Sequence, residues 1–219
     1  MTLPAAGSAE LRVSSAAKAE DQLVLSALQF AARRHAGQRR SDGEQFIQHP
    51  LEVARLLRDA GCSSVVVAAG LLHDAVEDTR VGVSELREQF GEPVADIVSA
   101  VSDDPSIGSY RHRKQLLREQ VRDAGEDAAL VFAADKISEV RELPGQVARD
   151  RARVGDAPQG TRARTRLERY HQMRLEHYNE SVRMLKERGG PDHQLVTRLA
   201  RELEACRAAG GRREAGAQG

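Results

Sequence analysis

The most informative run of apolar and polar positions covers residues 65 to 79, Val-Val-Val-Ala-Ala-Gly-Leu-Leu-His-Asp-Ala-Val-Glu-Asp-Thr. Its first half, residues 65 to 72, is apolar with one glycine, and Ser63 or Ser64 can cap its start. That predicts a helix buried on every side, with Gly70 letting a neighbour approach closely. His73, Asp74, Glu77 and Asp78 follow without a break. On a continuing helix His73 lies over Glu77 and Asp74 over Asp78, so the four share one side of the last turn. The same stripes carry Val66, Val67 and Leu71 one heptad earlier. A face that is apolar for two turns and then acidic runs from a core into the floor of a pocket. There, three carboxylates and an imidazole need a cation or protons to hold them together. The plainer reading is a helix end fraying into water, although acidic residues at a C-terminal end oppose the helix dipole.

The rest of the chain reads as further helices. Residues 1 to 18, rich in Ala, Ser and Gly, are expected to be disordered. Leu23, Leu25, Leu28, Phe30 and Ala31 mark a helix over residues 21 to 35, and a polar turn follows over 36 to 45. Pro50 suits the first turn of a helix over 51 to 60, which turns Val53, Leu56 and Leu57 inward and stops at Gly61. Helices are predicted over 83 to 90, 93 to 101, 109 to 122 and 127 to 143. Residues 144 to 160 hold Pro144, Gly145, Gly155, Pro158 and Gly160 and read as a loop. A long charged helix spans 162 to 188, a last helix spans about 191 to 207, and residues 208 to 219 form a disordered tail. The expected fold is all-α, a helical bundle over residues 19 to 190 with a long C-terminal helix.

Composition narrows the function classes. The chain has 219 residues, enough for one sizeable core, and its 33 Lys and Arg balance 33 Asp and Glu. No global field favours nucleic acid or an anionic membrane, and the absence of Trp disfavours base-stacking platforms. Arg149, Arg151, Arg153, Arg162, Arg164, Arg166 and Arg169 form a basic run, but Asp150, Asp156 and Glu168 dilute it and it reads as a solvated face. Cys62 and Cys206 match no metal spacing or disulfide framework. No stretch is long and apolar enough to span a bilayer, so a soluble, cytoplasmic protein is expected, with a homodimer left open.

A cation at His73 and Asp74 needs further ligands. His49 opens a helix after a turn and reads either as a ligand or as a cap. Asp135 lies within Ala-Leu-Val-Phe-Ala-Ala-Asp-Lys-Ile, a carboxylate inside an apolar helix that is either a ligand or paired to a distant arginine. Lys136 projects about 100° away, which argues against a local pair. Two imidazoles and two carboxylates suit a divalent ion such as Mn²⁺, with Fe²⁺ or Zn²⁺ as alternatives. His35, His112, His171, His177 and His193 read as polar-surface residues.

Together, His49, His73-Asp74 and Asp135 spell the His…His-Asp…Asp order of the HD phosphohydrolase superfamily. The wording is narrower. Ala36-Gly37-Gln38-Arg39-Arg40, Phe46-Ile47-Gln48-His49-Pro50-Leu51, Leu71 to Thr79, Val101-Ser102-Asp103-Asp104 and Ala134-Asp135-Lys136 resemble the hydrolase domain of RelA/SpoT proteins, and most of all the stand-alone small alarmone hydrolases, including the metazoan SpoT homologues. The likeness covers residues 21 to 188 apart from 144 to 160. It implies an HD-domain bundle and Mn²⁺ held by His49, His73, Asp74 and Asp135. Glu77 and Asp78 would position and deprotonate water. The implied small-molecule substrate is guanosine 3′,5′-bis(diphosphate) or its pentaphosphate counterpart, cut at the 3′ position to GDP or GTP and pyrophosphate. Candidate substrate-binding groups are Arg40, Lys114, Arg141 and the Arg174–Tyr178 pair on the long helix.

The departures fall on recognition. Ser41 stands where the family has Lys, and Gln45 where it has Pro. Ile137-Ser138-Glu139-Val140-Arg141 replaces Leu-x-Asn-Leu-Arg, so Glu139 puts an anion where an Asn contacts the sugar. A carboxylate held ionised beside a tetraphosphate costs about 1–3 kcal/mol. The alternatives are the same chemistry on another phosphorylated nucleotide, or a sensing module without turnover. The second has no use for Glu77 and Asp78.

Overall fold

The computed structural model describes residues 7–155, 161–189 and 193–216. Among them the chain is all-α, and the only β-type pairing is one bridge from Arg39 to Gln45 across the polar turn. The helices are α1 (Gly7–Arg34), α2 (Gln48–Asp59), α3 (Ser64–Leu72), α4 (Ala75–Asp78), α5 (Val83–Phe90), α6 (Glu92–Val101), α7 (Tyr110–Ala124), α8 (Glu126–Val154), α9 (Arg162–Gly189) and α10 (Gln194–Gly216). Among the described residues no helix is long and apolar enough to cross a membrane.

Helix α3 is the axis of the bundle. Every residue from Val66 to Leu72 is buried, and α1, α2, α6 and α8 all pack against it. Each fully buried Val or Leu contributes about 1.5–3 kcal/mol of apolar burial. Ser63 caps the helix, its hydroxyl accepting from the Val66 N–H. Gly70 allows the α2 crossing: a Cβ there would lie 2.4 Å from Leu57 Cδ1 and 3.3 Å from Val53 Cγ1.

Three expectations are corrected. The helix through His73 is not continuous: α3 ends at Leu72 and α4 resumes at Ala75. The Gly70 carbonyl, which a continued helix would offer to the Asp74 N–H, accepts from the His73 ring at 2.8 Å. His73 and Asp74 keep helical dihedrals, so the side chains still share one side. Second, the loop expected from residue 144 is helix to Val154, straight through Pro144 and Gly145. Packing of α8 on α2, α3, α9 and α10 outweighs the local preference of those two residues. All the buried positions of α8 lie between Ala128 and Leu143, before the proline.

Third, α1 begins at Gly7 and α10 runs to Gly216, extending helix into both segments expected to be disordered. The Ala-rich start of α1 continues a helix already nucleated by packing at small cost, whereas nothing in the structure explains the run of α10 through Gly210 and Gly211. The expectations for residues 1–6, 156–160, 190–192 (the boundary before the last helix) and 217–219 lie outside the described residues.

Candidate active site

Four side chains expected as metal ligands converge where α2, the α3–α4 break and α8 meet. His49 Nε2 lies 3.2 Å from His73 Nε2 and 3.2 Å from Asp135 Oδ1. Asp74 reaches both rings, Oδ1 at 3.1 Å from His73 Nε2 and Oδ2 at 3.5 Å from His49 Nε2. His73 Nε2 and Asp135 Oδ1 are 3.7 Å apart. Ligand atoms about 2.1 Å from one ion at right angles stand about 3 Å apart, so these separations suit neighbouring positions around a cation.

The hydrogen-bond partners decide the tautomers. His73 Nδ1 faces the Gly70 carbonyl, which only accepts, so Nδ1 carries the proton. His49 Nδ1 lies 2.9 Å from Ser138 Oγ, and that hydroxyl donates to Glu52 Oε2 at 2.8 Å. A hydroxyl has one proton, so Ser138 accepts from His49 Nδ1. As neutral rings, both histidines therefore turn an Nε2 lone pair toward two carboxylates. The cluster is made of acceptors, and a cation or an extra proton must satisfy them. His49, His73 and Asp135 offer donor atoms all within 4.8 Å of one another, a set that fits a divalent metal, while Asp74 approaches it through the two rings.

The electrostatics agree. Burial disfavours a charged His73, but Asp74 and Asp135 outweigh it and hold the ring well above its ordinary pKa. Burial likewise raises Asp74 and Asp135, yet the His73 charge brings Asp74 below the usual carboxylate range and Lys136 brings Asp135 well below it. Without a metal, a proton does the cation's work.

Lys136 corrects another expectation. Its Nζ lies 2.8 Å from Asp135 Oδ2 and 3.0 Å from Glu139 Oε1, with the side chain buried. Departure direction at Cα says little about a flexible stem that can curl back over its own turn. Lys136 takes one oxygen of Asp135 and leaves Oδ1 for the cluster. Glu139 sits at the same face one turn on, its charge held by Lys136 and felt by Tyr110, Arg174 and Tyr178.

Glu77 and Asp78 follow the cluster on α4. Glu77 is exposed as a residue, and its carboxylate accepts from the Asp103 N–H. Loss of hydration raises it to about 7, and the Asp74 charge adds to this. Asp78 is raised by the same two causes. The Asp78 carbonyl accepts from Gln38 Nε2 at 2.8 Å, tying α4 to the polar turn.

The five substrate-binding candidates divide. Lys114 Nζ lies 2.7 Å from Asp103 Oδ2, which places it beside the loop that holds Glu77. Arg174 is part-buried, donates to Tyr178 Oη at 2.9 Å and to Gln146 Oε1, and stacks over Tyr170 and Tyr178. Tyr178 is 1% exposed, so it supports Arg174 from the core. Arg40 pairs with Glu142. Arg141 is committed on two sides, to Glu52 and to Glu202.

Several participants were missed. Ser138, Glu52 and Glu202 gave no local signal, because their partners lie 61 to 89 positions away. His35, His171 and His177, expected on polar surfaces, are buried. His35 stacks on Phe46 at 4.7 Å and faces Gln38 Oε1 through Nδ1, so it supports the turn that reaches α4. His177 accepts from Arg118 at Nδ1, and burial with nearby Lys136 and Lys114 holds its pKa well below the ordinary value. His171 faces Asp150 at 3.1 Å.

Comparisons with known proteins identify the family. A family model described as HD domain matches residues 27–159. The guanosine-3′,5′-bis(diphosphate) 3′-pyrophosphohydrolase MESH1 of Xenopus tropicalis is 42% identical over 125 residues, covering 55% of this chain and 69% of the relative. The Homo sapiens protein of the same name is 43% identical over 124 residues, with the same coverage. A solved structure described as a metazoan ortholog of SpoT that hydrolyzes ppGpp superposes with a TM-score of 0.64 at 26% identity, covering 94% of this chain and 98% of that one. A structure of lmo0812 from Listeria monocytogenes gives 0.58 at 27% identity, covering 75% of this chain and 98% of that one. The chain belongs to the HD-domain family, in the group of the metazoan SpoT homologues.

Proposed function

We propose that this chain hydrolyses guanosine 3′,5′-bis(diphosphate) and its pentaphosphate counterpart at the 3′ position, giving GDP or GTP and pyrophosphate. His49, His73, Asp74 and Asp135 would hold the divalent ion, for which Mn²⁺ is our assignment, with Fe²⁺ and Zn²⁺ as alternatives for this donor set. The observation that carries the reading is the pair of Nε2 lone pairs turned on two carboxylates, with a further carboxylate raised to about 7 one turn away. When bound, the ion supplies Lewis acidity toward water and phosphate.

The chain's own groups do the rest. Glu77, raised into the neutral range, is suited to take a proton from the attacking water, with Asp78 beside it as second acceptor. Lys114 and Arg174 flank the site from α7 and α9 and would meet phosphate charge, with Arg40 reachable if Glu142 gives way. Lys136 keeps Asp135 ionised. Arg141 is spent on Glu52 and Glu202 and is better read as a positioning residue than as a substrate contact.

One observation favours a second reading, the same chemistry on a different phosphorylated nucleotide. Glu139 places a carboxylate on the cluster's side of α8, next to Arg174 and Tyr178. The deciding experiment is pyrophosphate release from guanosine tetraphosphate by the purified protein, with and without Mn²⁺. Metal-dependent release establishes the first reading. Tight Mn²⁺ binding without release moves the substrate to another nucleotide.

A further inference from the structure

Five side chains link the metal cluster to the far end of the fold. Glu202 lies on α10, well past residue 159 where the HD-domain match ends. Its Oε1 accepts from Arg141 Nε at 2.9 Å and Nη2 at 2.6 Å. The third nitrogen of that guanidinium, Nη1, donates to Glu52 Oε1 at 2.8 Å. Glu52 Oε2 takes the Ser138 proton at 2.8 Å, and Ser138 Oγ accepts from His49 Nδ1 at 2.9 Å. A guanidinium only donates and an ionised carboxylate only accepts, so the bonds from Arg141 to Glu202 and to Glu52 have one polarity each, and the link that can run either way is Ser138 to His49.

We infer that Ser138, Glu52, Arg141 and Glu202 form a positioning relay that holds the His49 ring with its Nε2 lone pair aimed at the cluster, and that α10 is thereby a working part of the metal centre. This rests on the metal-binding reading above.

The sensitive point is the Ser138 hydroxyl. It is fully buried and has two places to send its proton, Glu52 or His49 Nδ1. Toward Glu52, it leaves His49 as the Nδ1–H tautomer, with Nε2 free to ligate. Toward His49, it forces the ring proton onto Nε2, and the lone pair is lost to the metal. An anchored, ionised Glu52 decides the matter. Burial raises its pKa, but the bonds from Arg141 and Ser138 outweigh that and hold it below its ordinary value. Arg141 in turn is held in plane by Glu202. Without Glu202 its guanidinium can rotate away from Glu52, and the relay loses its fixed end. Partners of ligating histidines commonly change metal affinity by about 10–100-fold when removed.

The test uses the full chain, unlabelled for Mn²⁺ affinity and ¹⁵N-histidine-labelled, metal-free, for the tautomer of His49 at alkaline pH. With no metal bound, Asp74 and Asp135 also attract a proton to His49 Nε2, so the readout is the change from wild type. Glu202→Ala should shift His49 toward Nε2–H and weaken Mn²⁺ binding about tenfold, and Ser138→Ala should weaken it about 10–100-fold. Because both act through one chain, the double variant should bind no more weakly than Ser138→Ala alone. The relay is overturned by Glu202→Ala leaving tautomer and affinity unchanged, or by additive losses in the double variant. If Ser138→Ala does not fold, the Glu202→Ala comparison decides. A wild type that binds no Mn²⁺ would sink the metal reading, and the tautomer comparison would still judge the relay.

Discussion

His49 Nε2 and His73 Nε2 face each other at 3.2 Å, and neither carries the proton that would make the contact a hydrogen bond while both rings are neutral. Without a metal, Asp74 and Asp135 draw an extra proton onto the His73 ring, where Nε2 can donate to Asp74 Oδ1 at 3.1 Å; with both rings neutral, two lone pairs would face each other beside two carboxylates. A divalent ion removes that conflict. Asp74→Ala is therefore expected to lose Mn²⁺ retention and pyrophosphate release together, read by metal content after gel filtration and by a release assay. An active variant free of metal would reject Asp74 as a ligand.

Glu77→Gln separates metal binding from proton transfer. The variant should retain Mn²⁺ and lose about 10²–10⁴-fold in rate. In wild type the rate should rise as Glu77 ionises, along a limb at or below about 7, since a bound cation can only lower that value. The limb should vanish in the variant. An unchanged rate would move the base to Asp78 or elsewhere.

The same group affects stability with a definite sign. Its folded pKa, about 7, lies above the unfolded 4.5, so the folded protein binds the extra proton. That stabilisation is complete below 4.5 and is lost as pH rises through about 7. Glu52 acts in the opposite sense: its folded pKa lies below 4.5, so its contribution is present above that value and lost as pH falls through the folded one. Urea midpoints of the metal-free protein across pH, beside Glu77→Gln, should show a smaller decline toward neutrality in the variant.

Much of this site was legible in the chain because one short run carries it. His73, Asp74, Glu77 and Asp78 follow an apolar helix within a few residues, and His49 and Asp135 stand out against a helix start and an apolar stripe. What escaped depends on distance in sequence. Ser138 meets Glu52 across 86 positions, and Arg141 meets Glu202 across 61. Neither pair has a local pattern to betray it. Lys136 was misjudged because a side-chain direction was taken for a side-chain end. Pro144 was misjudged because propensity was weighed without the neighbours packed on α8.

Gly70→Ala tests the close crossing of α2 and α3. The new methyl would meet Leu57 Cδ1, so the helices must part or Leu57 must repack. A loss of about 1–3 kcal/mol is expected from urea unfolding. Mn²⁺ affinity should fall as well, because the Gly70 carbonyl orients His73. Wild-type stability would show that the crossing has slack.

Glu139→Asn addresses the substrate. If the carboxylate opposes the polyphosphate, its removal should lower the Michaelis constant for guanosine tetraphosphate by about three- to tenfold, less than the full repulsion because Lys136 already neutralises part of it. An unchanged constant would dismiss Glu139 as the determinant.

Pro144 gives α8 two lives. It brings no N–H to the Val140 carbonyl, so the ladder has a gap one turn past Glu139. Before the gap the helix is largely buried and carries Asp135; beyond it the residues are half-buried or exposed, with Val147 resting against the core. In hydrogen-exchange terms the first part should open only when the whole protein does, while residues 145 to 154 can unwind on their own. The end of α8 that supports Arg174 through Gln146 can then come and go without disturbing the metal ligands.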